Sequence, residues 1–364
     1  MRVTVSISCF NQEDKITNCI ESVLAQDYND IEILVVDDHS TDNSVEIIKS
    51  VFAAHPKVLT RLIVHNTNKG LSFVRNTGIL EASGDAIFFV DGDDTMVENS
   101  LGLFCRKMNE NHADVVFGSF RMIDEKGHLI REYKYPTAYL EGEFAFSMYI
   151  EDYLMNRRWV PIDVWNKLYR LDWLRSYNIL CSTKYKFSEG TFFTFQVALH
   201  TNRLFALSDV TYNWTQIPTS ECHREITQSR LHVLVASICA VFDLFVDFRN
   251  SHGNKDIPQG IFYLLNFNCL LTGFIRQIVF SKLSKTDKML FLNTIKNNYR
   301  DNRIRWNHVI GIYNKISYLI LISPFPYILF KWYFRHLKII IKIVNYFFVR
   351  NNSINREKEN TNYH

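Results

Sequence analysis

The chain has 364 residues, of which 47% are hydrophobic and 14% aromatic, with 41 Lys and Arg against 38 Asp and Glu. This composition excludes a disordered chain and a collagen-like repeat, because enough apolar side chains are present to form a large core. Residues 281–364 contain 15 basic and only 4 acidic side chains, so a basic tail follows an acidic body.

Cysteine usage and the start of the chain predict a cytoplasmic protein. The seven cysteines are scattered and contain no C-x-x-C pair, which is typical of a reduced, cytosolic chain. The first apolar run, at 3–10, alternates with polar residues and is too short for a signal peptide.

The first 120 residues alternate β-branched runs with helical patterns, which predicts a largely parallel sheet. The predicted strands lie near 3–8, 31–36, 58–65, 86–90 and 113–117, and the predicted helices near 14–25, 43–54, 72–82 and 98–109. In such sheets ligands bind beyond the carboxyl ends of the strands, so the residues after each strand are the candidates for a site.

The regular alternation is lost after residue 120. The sequence predicts a hairpin over 122–135, helices near 164–176 and 189–202, and a strand pair ending at 211–214. Helical patterns then dominate, near 229–249, 258–281, 285–300 and 305–349.

Two adjacent carboxylates, Asp37 and Asp38, follow the second predicted strand. The next polar residues, 41–43, are explained by capping of the following helix. Asp37 and Asp38 lie too far upstream to cap it, so they are either structural or hydrogen-bond acceptors for a nucleotide base or ribose.

Three carboxylates, Asp91, Asp93 and Asp94, follow the fourth predicted strand around Gly92. Like charges this close repel each other unless a cation is present. A divalent ion held by one or two carboxylates and by substrate phosphates relieves this repulsion. The alternative is a solvated acidic loop. An EF-hand is excluded because the loop has no Gly at position six and no Glu at position twelve.

A loop over 66–71 leads into the third predicted helix, for which Ser72 is the expected N-cap. Arg75 then falls in the first turn, where the helix dipole disfavours a cation. A nearby carboxylate of this chain or a bound diphosphate would each compensate for this, and the sequence leaves both open.

These segments, in this order, resemble the family 2 glycosyltransferases of the GT-A fold, over about residues 1–215. The matching segments are Ser8-Cys9-Phe10-Asn11, Ser22-Val23-Leu24-Ala25-Gln26, Val35-Val36-Asp37-Asp38, Asn68-Lys69-Gly70, Arg75-Asn76, Ala82-Ser83-Gly84-Asp85 and Asp91-Gly92-Asp93-Asp94. A further segment, 165–169, matches a motif common in non-processive members.

The resemblance implies an α/β fold of the GT-A type, a Rossmann-like mixed sheet with helices on both faces, followed by a helical C-terminal region. We expect a glycosyltransferase domain at 1–215, with a nucleotide-sugar-binding half at 1–120 and an acceptor half at 121–215. After it we expect a helical region at 216–300, basic membrane-associated helices at 301–350 and a disordered tail at 351–364.

The resemblance also implies roles for individual residues. Ser8 and Asp38 would contact the base, and Asp93 would be the principal ligand of Mg²⁺ or Mn²⁺, with Asp91 assisting. The acceptor side would include Trp165 and Lys167. The implied nucleotide-sugar site comprises Ser8, Asn11, Asp37, Asp38, Asn68, Gly70, Arg75, Asp91 and Asp93.

The chain departs from the family pattern at the general base. The family places a Glu-Asp pair at the head of a helix, and its Asp is the usual base. Here Glu189 fits the first acid, but Gly190 stands in place of the Asp. Either Glu189 is the catalytic base, or the helix register is shifted, or the protein binds a donor without efficient transfer.

The tail places Lys331, Arg335, Lys338 and Lys342 three or four residues apart among aromatic and aliphatic residues. This spacing predicts a helix with a basic stripe, which lies on an anionic membrane surface and does not span the bilayer. A helix pair packed on the core is the alternative. Nucleic acid is not an expected partner, because the aromatic residues do not line a basic groove.

The sequence thus predicts an inverting glycosyltransferase associated peripherally with the inner face of the plasma membrane. We expect a nucleotide-diphosphate sugar donor, UDP-linked, and a glycan or lipid-linked glycan acceptor in cell-surface polysaccharide assembly. The competing prediction, favoured by Gly190, is a non-catalytic nucleotide-sugar or glycan-binding member of the fold that partners another transferase.

Overall fold

The computed structural model describes residues 1–154, 162–184, 189–217, 227–252, 259–266, 273–301, 318–321, 323–324, 326–333 and 335–336. Within these residues the strands form one mixed sheet. The strands are β1 (Val3–Cys9), β2 (Ile31–Asp37), β3 (Leu59–Val64), β4 (Ala86–Asp91), β5 (Thr95–Met96), β6 (Val115–Ile123), β7 (Leu129–Tyr133), β8 (Ala138–Glu141), β9 (Lys167–Arg170) and β10 (Arg203–Thr215).

Helices cover the sheet and form the C-terminal part of the described chain. They are α1 (Ile16–Leu24), α2 (Ser44–Ala54), α3 (Leu71–Glu81), α4 (Ser100–Glu110), α5 (Ala145–Tyr149), α6 (Leu171–Ser176), α7 (Glu189–His200), α8 (Gln228–His252), α9 (Gln259–Asn266), α10 (Gly273–Phe280) and α11 (Lys285–Asp301). Helix α5 continues as one turn of π-helix, Ile150–Leu154.

The strand order is β3-β2-β1-β4-β9-β6-β10-β5, with β7 beside β6 and β8 beside β10. The first four strands of this order are parallel, whereas β9 runs antiparallel to both β4 and β6. The chain therefore enters β9 from the carboxyl edge of β4. This topology brings residues 162–166 to the edge where parallel sheets bind ligands.

The centre of the sheet is buried on both faces. Every residue of β1 and β2 is buried, which is the pattern of a parallel strand covered by helices on both sides. The core continues without interruption into the C-terminal helices, through Phe242, Phe291 and Tyr299. The α/β fold with a helical C-terminal region is confirmed.

Most predicted elements up to residue 135 are confirmed, and two later ones are wrong. The predicted helix at 164–176 is strand β9 followed by α6, because the segment 167–170 pairs with both β4 and β6. The predicted strand pair is the single irregular strand β10, which has two register shifts against β6. Within the predicted helix 258–281 the described residues are helical, as α9 and α10, up to residue 280.

The predicted tail helix is described in part. Residues 318–321 and 326–333 are helical, and Phe330 and Tyr333 are buried in the main core. Lys338, Lys342 and the predicted disordered tail lie outside the described residues. Within the described residues α8 alone is long and apolar enough to cross a membrane, a test that core helices also pass, and 44% of its apolar window is buried.

The buried side chain of Asn166 fixes the turn that leads into β9. Its Nδ2 donates to the carbonyl oxygens of Gly118 at 2.8 Å and Ser119 at 3.1 Å, and its Oδ1 accepts from Thr211 Oγ1 at 2.8 Å. Its backbone is left-handed, with φ 56°. Asparagine tolerates this conformation better than most residues.

We predict that Asn166→Ala lowers the free energy of unfolding by about 2–4 kcal/mol, because three buried hydrogen bonds are lost and their partners stay buried. Asn178→Ala is the matched control, since Asn178 is exposed and also left-handed, with φ 50°. Urea denaturation of both variants measures the difference. Equal destabilisation would contradict a structural role for the Asn166 side chain.

Candidate active site at the carboxyl edge of the sheet

Asp37 and Asp38 are buried and fully engaged with protein donors. Asp37 accepts hydrogen bonds from the Ser40 amide at 2.9 Å and from the Ser40 hydroxyl. Asp38 accepts from the amides of Lys69 and Gly70, with Gly70 N 2.6 Å from Oδ2. Both carboxylates thus shape the loops around the site, and their contact with a base or ribose stays a prediction.

His65 completes the surroundings of Asp38. Its Nδ1 lies 2.7 Å from Asp38 Oδ1, and its Nε2 lies 3.0 Å from Thr77 Oγ1 on α3. Sequence analysis missed this histidine, because a single His at the end of a strand has no spacing that signals a partner. The three residues join the ends of β2 and β3 to α3 and hold the 68–70 loop in place.

Gly70, and not Ser72, is the N-cap of α3. Gly70 has φ 96°, a left-handed conformation in which a side chain would be strained, and the helix begins at Leu71 without a side-chain cap. Ser72 is buried within the helix. Asn68, in the same loop, is exposed and remains a candidate contact for a nucleotide sugar.

The acidic motif after β4 lies against the end of β1. The Gly92 amide donates to the Ser8 carbonyl oxygen at 2.9 Å, and a Cβ at Gly92 would lie 2.6 Å from that oxygen. Only glycine fits between two backbones this close. Asn11, just beyond β1, uses its Oδ1 to accept from the Thr41 amide at 2.8 Å.

Arg75 pairs with a carboxylate of this chain, which was one of the two open alternatives. Its guanidinium nitrogen Nη2 lies 3.0 Å from Asp91 Oδ1 and 3.3 Å from Oδ2. The Arg75 side chain is buried, whereas that of Asp91 is 24% exposed. The pair lies at the carboxyl edge of the sheet, and Arg75 covers one side of the Asp91 carboxylate. A ligand can therefore contact Asp91 only from the side that stays exposed.

Asp93 is the carboxylate of the motif that no protein side chain neutralises among the described residues. Burial raises its pKa to about 6, and the charge of Asp91 adds to this. Within the described part of the chain, no three His, Cys, Asp or Glu residues are placed to hold a metal ion by themselves. A divalent cation therefore fits only with further oxygen ligands, such as those of a diphosphate.

Asp94 is a structural carboxyl group. Its two oxygens accept from the Tyr212 hydroxyl at 2.8 Å and the Thr215 amide at 2.7 Å. The same Tyr212 oxygen accepts from the Asp91 amide at 3.2 Å. Burial raises the pKa of Asp94 well above its usual range, with smaller effects from Asp93 and Asp91. Sequence analysis did not identify Tyr212 as a residue of the site, although it links the acidic loop to β10.

Trp165 and Lys167 lie beneath the surface. Trp165 stacks on Tyr212, with ring centroids 4.8 Å apart. Lys167 donates to the carbonyl oxygens of Asp163 and Trp165, and burial lowers its pKa to about 8. Both side chains are buried in this structure, and their place on the acceptor side stays a prediction.

The candidate base lies at the start of α7. Glu189 is its first residue, as predicted, but the Glu189 side chain falls outside the described residues. Gly190 follows it in the first turn. A Cβ at Gly190 would lie 3.6 Å from Val164 Cγ2 and 3.7 Å from the Ile162 carbonyl oxygen, which are ordinary contact distances.

We predict that Tyr212→Phe lowers the free energy of unfolding by about 1.5–3 kcal/mol, because it removes a hydrogen bond to a buried carboxyl group. Tyr169→Phe is the matched control. Tyr169 is also fully buried, but its hydroxyl donates only to the Val164 carbonyl at 3.1 Å. We expect a loss of about 0.5–1.5 kcal/mol for this control. Denaturant unfolding that shows equal losses would contradict the role of Tyr212.

Comparisons with known proteins agree with this geometry. Residues 4–175 match the sequence model of "Glycosyl transferase family 2". The chain is 28% identical to glycosyltransferase GlyA of Streptococcus pneumoniae over 64% of its own length and 33% of the relative's. It is 27% identical to the uncharacterized glycosyltransferase EpsJ of Bacillus subtilis over 60% and 62% of the two lengths. The chain thus spans between one third and about three fifths of these relatives.

A solved structure shows the same fold. The crystal structure of residues 1–349 of Staphylococcus aureus TarS in complex with UDP-GlcNAc superposes with a TM-score of 0.64, over 85% of this chain and 83% of that one, at 20% identity. TarS is described as a poly(ribitol-phosphate) β-N-acetylglucosaminyltransferase. The structural match extends beyond the region matched by sequence and into the C-terminal part. The chain therefore has the GT-A fold, and its residues 4–175 belong to glycosyl transferase family 2.

Proposed function

We propose that the protein is an inverting glycosyltransferase that uses a nucleotide-diphosphate sugar, UDP-linked, and a glycan or lipid-linked glycan acceptor of a cell-surface polysaccharide. The observation that carries the proposal is Asp93, a half-buried carboxylate beside Asp91 that no described protein group neutralises. Family membership and the UDP-GlcNAc bound to TarS support a donor of this class.

The residues present fit a divalent cation, Mg²⁺ or Mn²⁺. Asp93, assisted by Asp91, would hold it together with the diphosphate, and the ion would stabilise the charge of the departing nucleoside diphosphate. The chain itself supplies the shape of the site. Asp38 and Gly70 fix the 68–70 loop, the Gly92 amide fixes the motif against β1, and Asp94 anchors the motif to β10.

A general base completes the proposed reaction by taking the proton of the attacking acceptor hydroxyl. By family resemblance this group lies at the head of α7, where Glu189 is the candidate and Gly190 replaces the usual Asp. Gly190 is also the observation that favours the second candidate function, a non-catalytic partner that binds a nucleotide sugar or glycan. Turnover of a donor separates the two functions.

We predict that UDP stabilises the protein against thermal unfolding far more with Mn²⁺ than with EDTA. Asp93→Asn should remove the part of this stabilisation that depends on Mn²⁺. A ligand at 100 times its dissociation constant stabilises a protein by about 2.7 kcal/mol, which thermal unfolding detects. Glu98→Gln is the matched control, because Glu98 is exposed and lies just beyond the motif. An equal shift of wild type in EDTA would remove the metal from the proposal.

We further propose that the tail binds the inner face of the plasma membrane. In the helix 326–333 the side chains of Ile328 and Trp332 are 59% and 57% exposed, one turn apart, while Phe330 and Tyr333 are buried on the opposite side. Arg335 is exposed beside them. An apolar face flanked by basic residues suits an interface that contains anionic lipids.

We predict that the double variant Ile328→Gln/Trp332→Gln binds phosphatidylglycerol-containing vesicles about tenfold or more weakly than wild type, because exposed apolar side chains no longer enter the interface. The control is Leu129→Gln/Ile130→Gln, which changes two exposed apolar residues of β7. Co-sedimentation measures binding. Point variants are needed because truncation at residue 300 would uncover the core around Phe330. Unchanged binding of the tail variant would place the membrane contact elsewhere.

A further inference from the structure

The position left empty by Gly190 lies against the segment 162–164, which contains one carboxylate residue, Asp163. A Cβ at Gly190 would contact Ile162 and Val164, as its distances of 3.7 Å and 3.6 Å show. A side chain at 190 would therefore pack against the segment 162–164. Asp163 is the residue between these two contacts.

The backbone at Asp163 is held at the carboxyl edge from two sides. Thr194 Oγ1, on α7, donates to the Ile162 carbonyl oxygen at 2.7 Å, and Lys167 Nζ, on β9, donates to the Asp163 carbonyl oxygen. Because β9 is antiparallel to β4, the segment before it lies beside the end of β4, where Asp91 is found. The main chain at 163 is thus fixed near the acidic motif.

Asp163 is half-buried, and no side chain of the described residues donates a hydrogen bond to its carboxylate, on which its own backbone amide acts. The charges that act on it come from Lys167 on β9, Arg75 on α3 and Asp91 on β4. Burial raises its pKa to about 6, while Lys167 and Arg75 oppose that rise. At neutral pH most of the Asp163 population is therefore ionised.

We propose that Asp163 is the general base of the transfer, in place of the aspartate missing at 190. The inference rests on the proposed function and deepens it. One Asp163 oxygen takes the proton of the acceptor hydroxyl while the hydroxyl oxygen forms a bond to the anomeric carbon. The bond between that carbon and the diphosphate oxygen breaks, and its electron pair leaves with the nucleoside diphosphate.

A purely structural role fits the contacts less well. Lys167 is bonded to two backbone carbonyls and Arg75 to Asp91, and no ion pair within 4 Å joins either cation to the Asp163 carboxylate. A carboxylate kept for stability normally has hydrogen-bond donors at its oxygens, as Asp38 and Asp94 have here. Asp163 has the accessibility that a proton acceptor needs.

The test uses the full chain and measures release of UDP from UDP-N-acetylglucosamine and UDP-glucose, with water as the acceptor. We expect Asp163→Asn to lower turnover by a factor of about 10² to 10⁴, the usual size of base catalysis, with the affinity for UDP changed less than about twofold. Asp172→Asn is the matched control and should keep wild-type turnover, because Asp172 is exposed beyond the opposite end of β9.

Two further variants separate the candidates for the base. Gly190→Asp in the Asp163→Asn background should restore turnover, because the new carboxylate extends over the same segment, and a structural defect at 163 would not be restored in this way. Glu189→Gln alone should lower turnover by less than Asp163→Asn does, because Asp163 and not Glu189 would take the proton. If Asp163→Asn does not fold, Asp163→Ser replaces it in both backgrounds.

The outcomes distinguish the inference from the proposed function. Full turnover of Asp163→Asn, or loss of turnover in Glu189→Gln with Asp163→Asn unaffected, would overturn the role of Asp163 and leave the transferase proposal intact. A wild-type chain that binds neither UDP nor a UDP-sugar in the presence of Mn²⁺ would remove the proposed function and the inference together.

Discussion

The ion pair between Arg75 and Asp91 is the interaction around which the carboxyl edge is organised. It joins α3 to the end of β4 and places a buried guanidinium within a group of acidic residues. An arginine in this position keeps its charge at any physiological pH, so it offsets part of the mutual repulsion of the carboxylates. The charge of Arg75 also acts on Asp163, whose pKa it lowers, and on Lys167, whose pKa it lowers.

The carboxylates of this edge divide into two groups. Asp37, Asp38 and Asp94 accept hydrogen bonds from amides and hydroxyls of other residues at both oxygens, so each fixes a loop. Within the described residues, Asp93 and Asp163 have no such donors from other residues, and their own amides act on them. Buried polar groups without partners are costly, and proteins retain them where a ligand or a proton satisfies them. Aspartates of the first group thus hold the loops of the site in place, whereas Asp93 and Asp163 serve the proposed chemistry.

The sequence predicted what short-range pattern and motif order determine. The alternation of strands and helices up to residue 120, the hairpin after 122 and the edge that carries the site follow from periodicity and from the βαβ arrangement. Gly70 and Ser72 show the limit, because the choice of cap depends on the Asp38 carboxylate at the end of another strand. Strand β9 was missed because four residues are too few to show a period of two, and its neighbours in the sheet decide its conformation.

The sequence also does not predict which carboxylates hold loops in place and which can contact a ligand. Asp93 and Asp94 are adjacent and chemically identical, and the hydrogen bonds that Tyr212 and Thr215 of β10 donate to Asp94 distinguish them. Asp163 belongs to no motif that the sequence shows. It is brought to the acidic edge by the antiparallel direction of β9, in a segment that lies against Gly190 of α7.

A crystal structure of the protein with UDP and Mn²⁺, using anomalous scattering to locate the metal, tests this partition most directly. The account predicts a Mn²⁺ peak at the Asp93 carboxylate and the diphosphate, with the Asp38 carboxylate still bonded to the amides of Lys69 and Gly70. A Mn²⁺ ion bound away from Asp93, or a UDP base that displaces the 68–70 loop from Asp38, would contradict it.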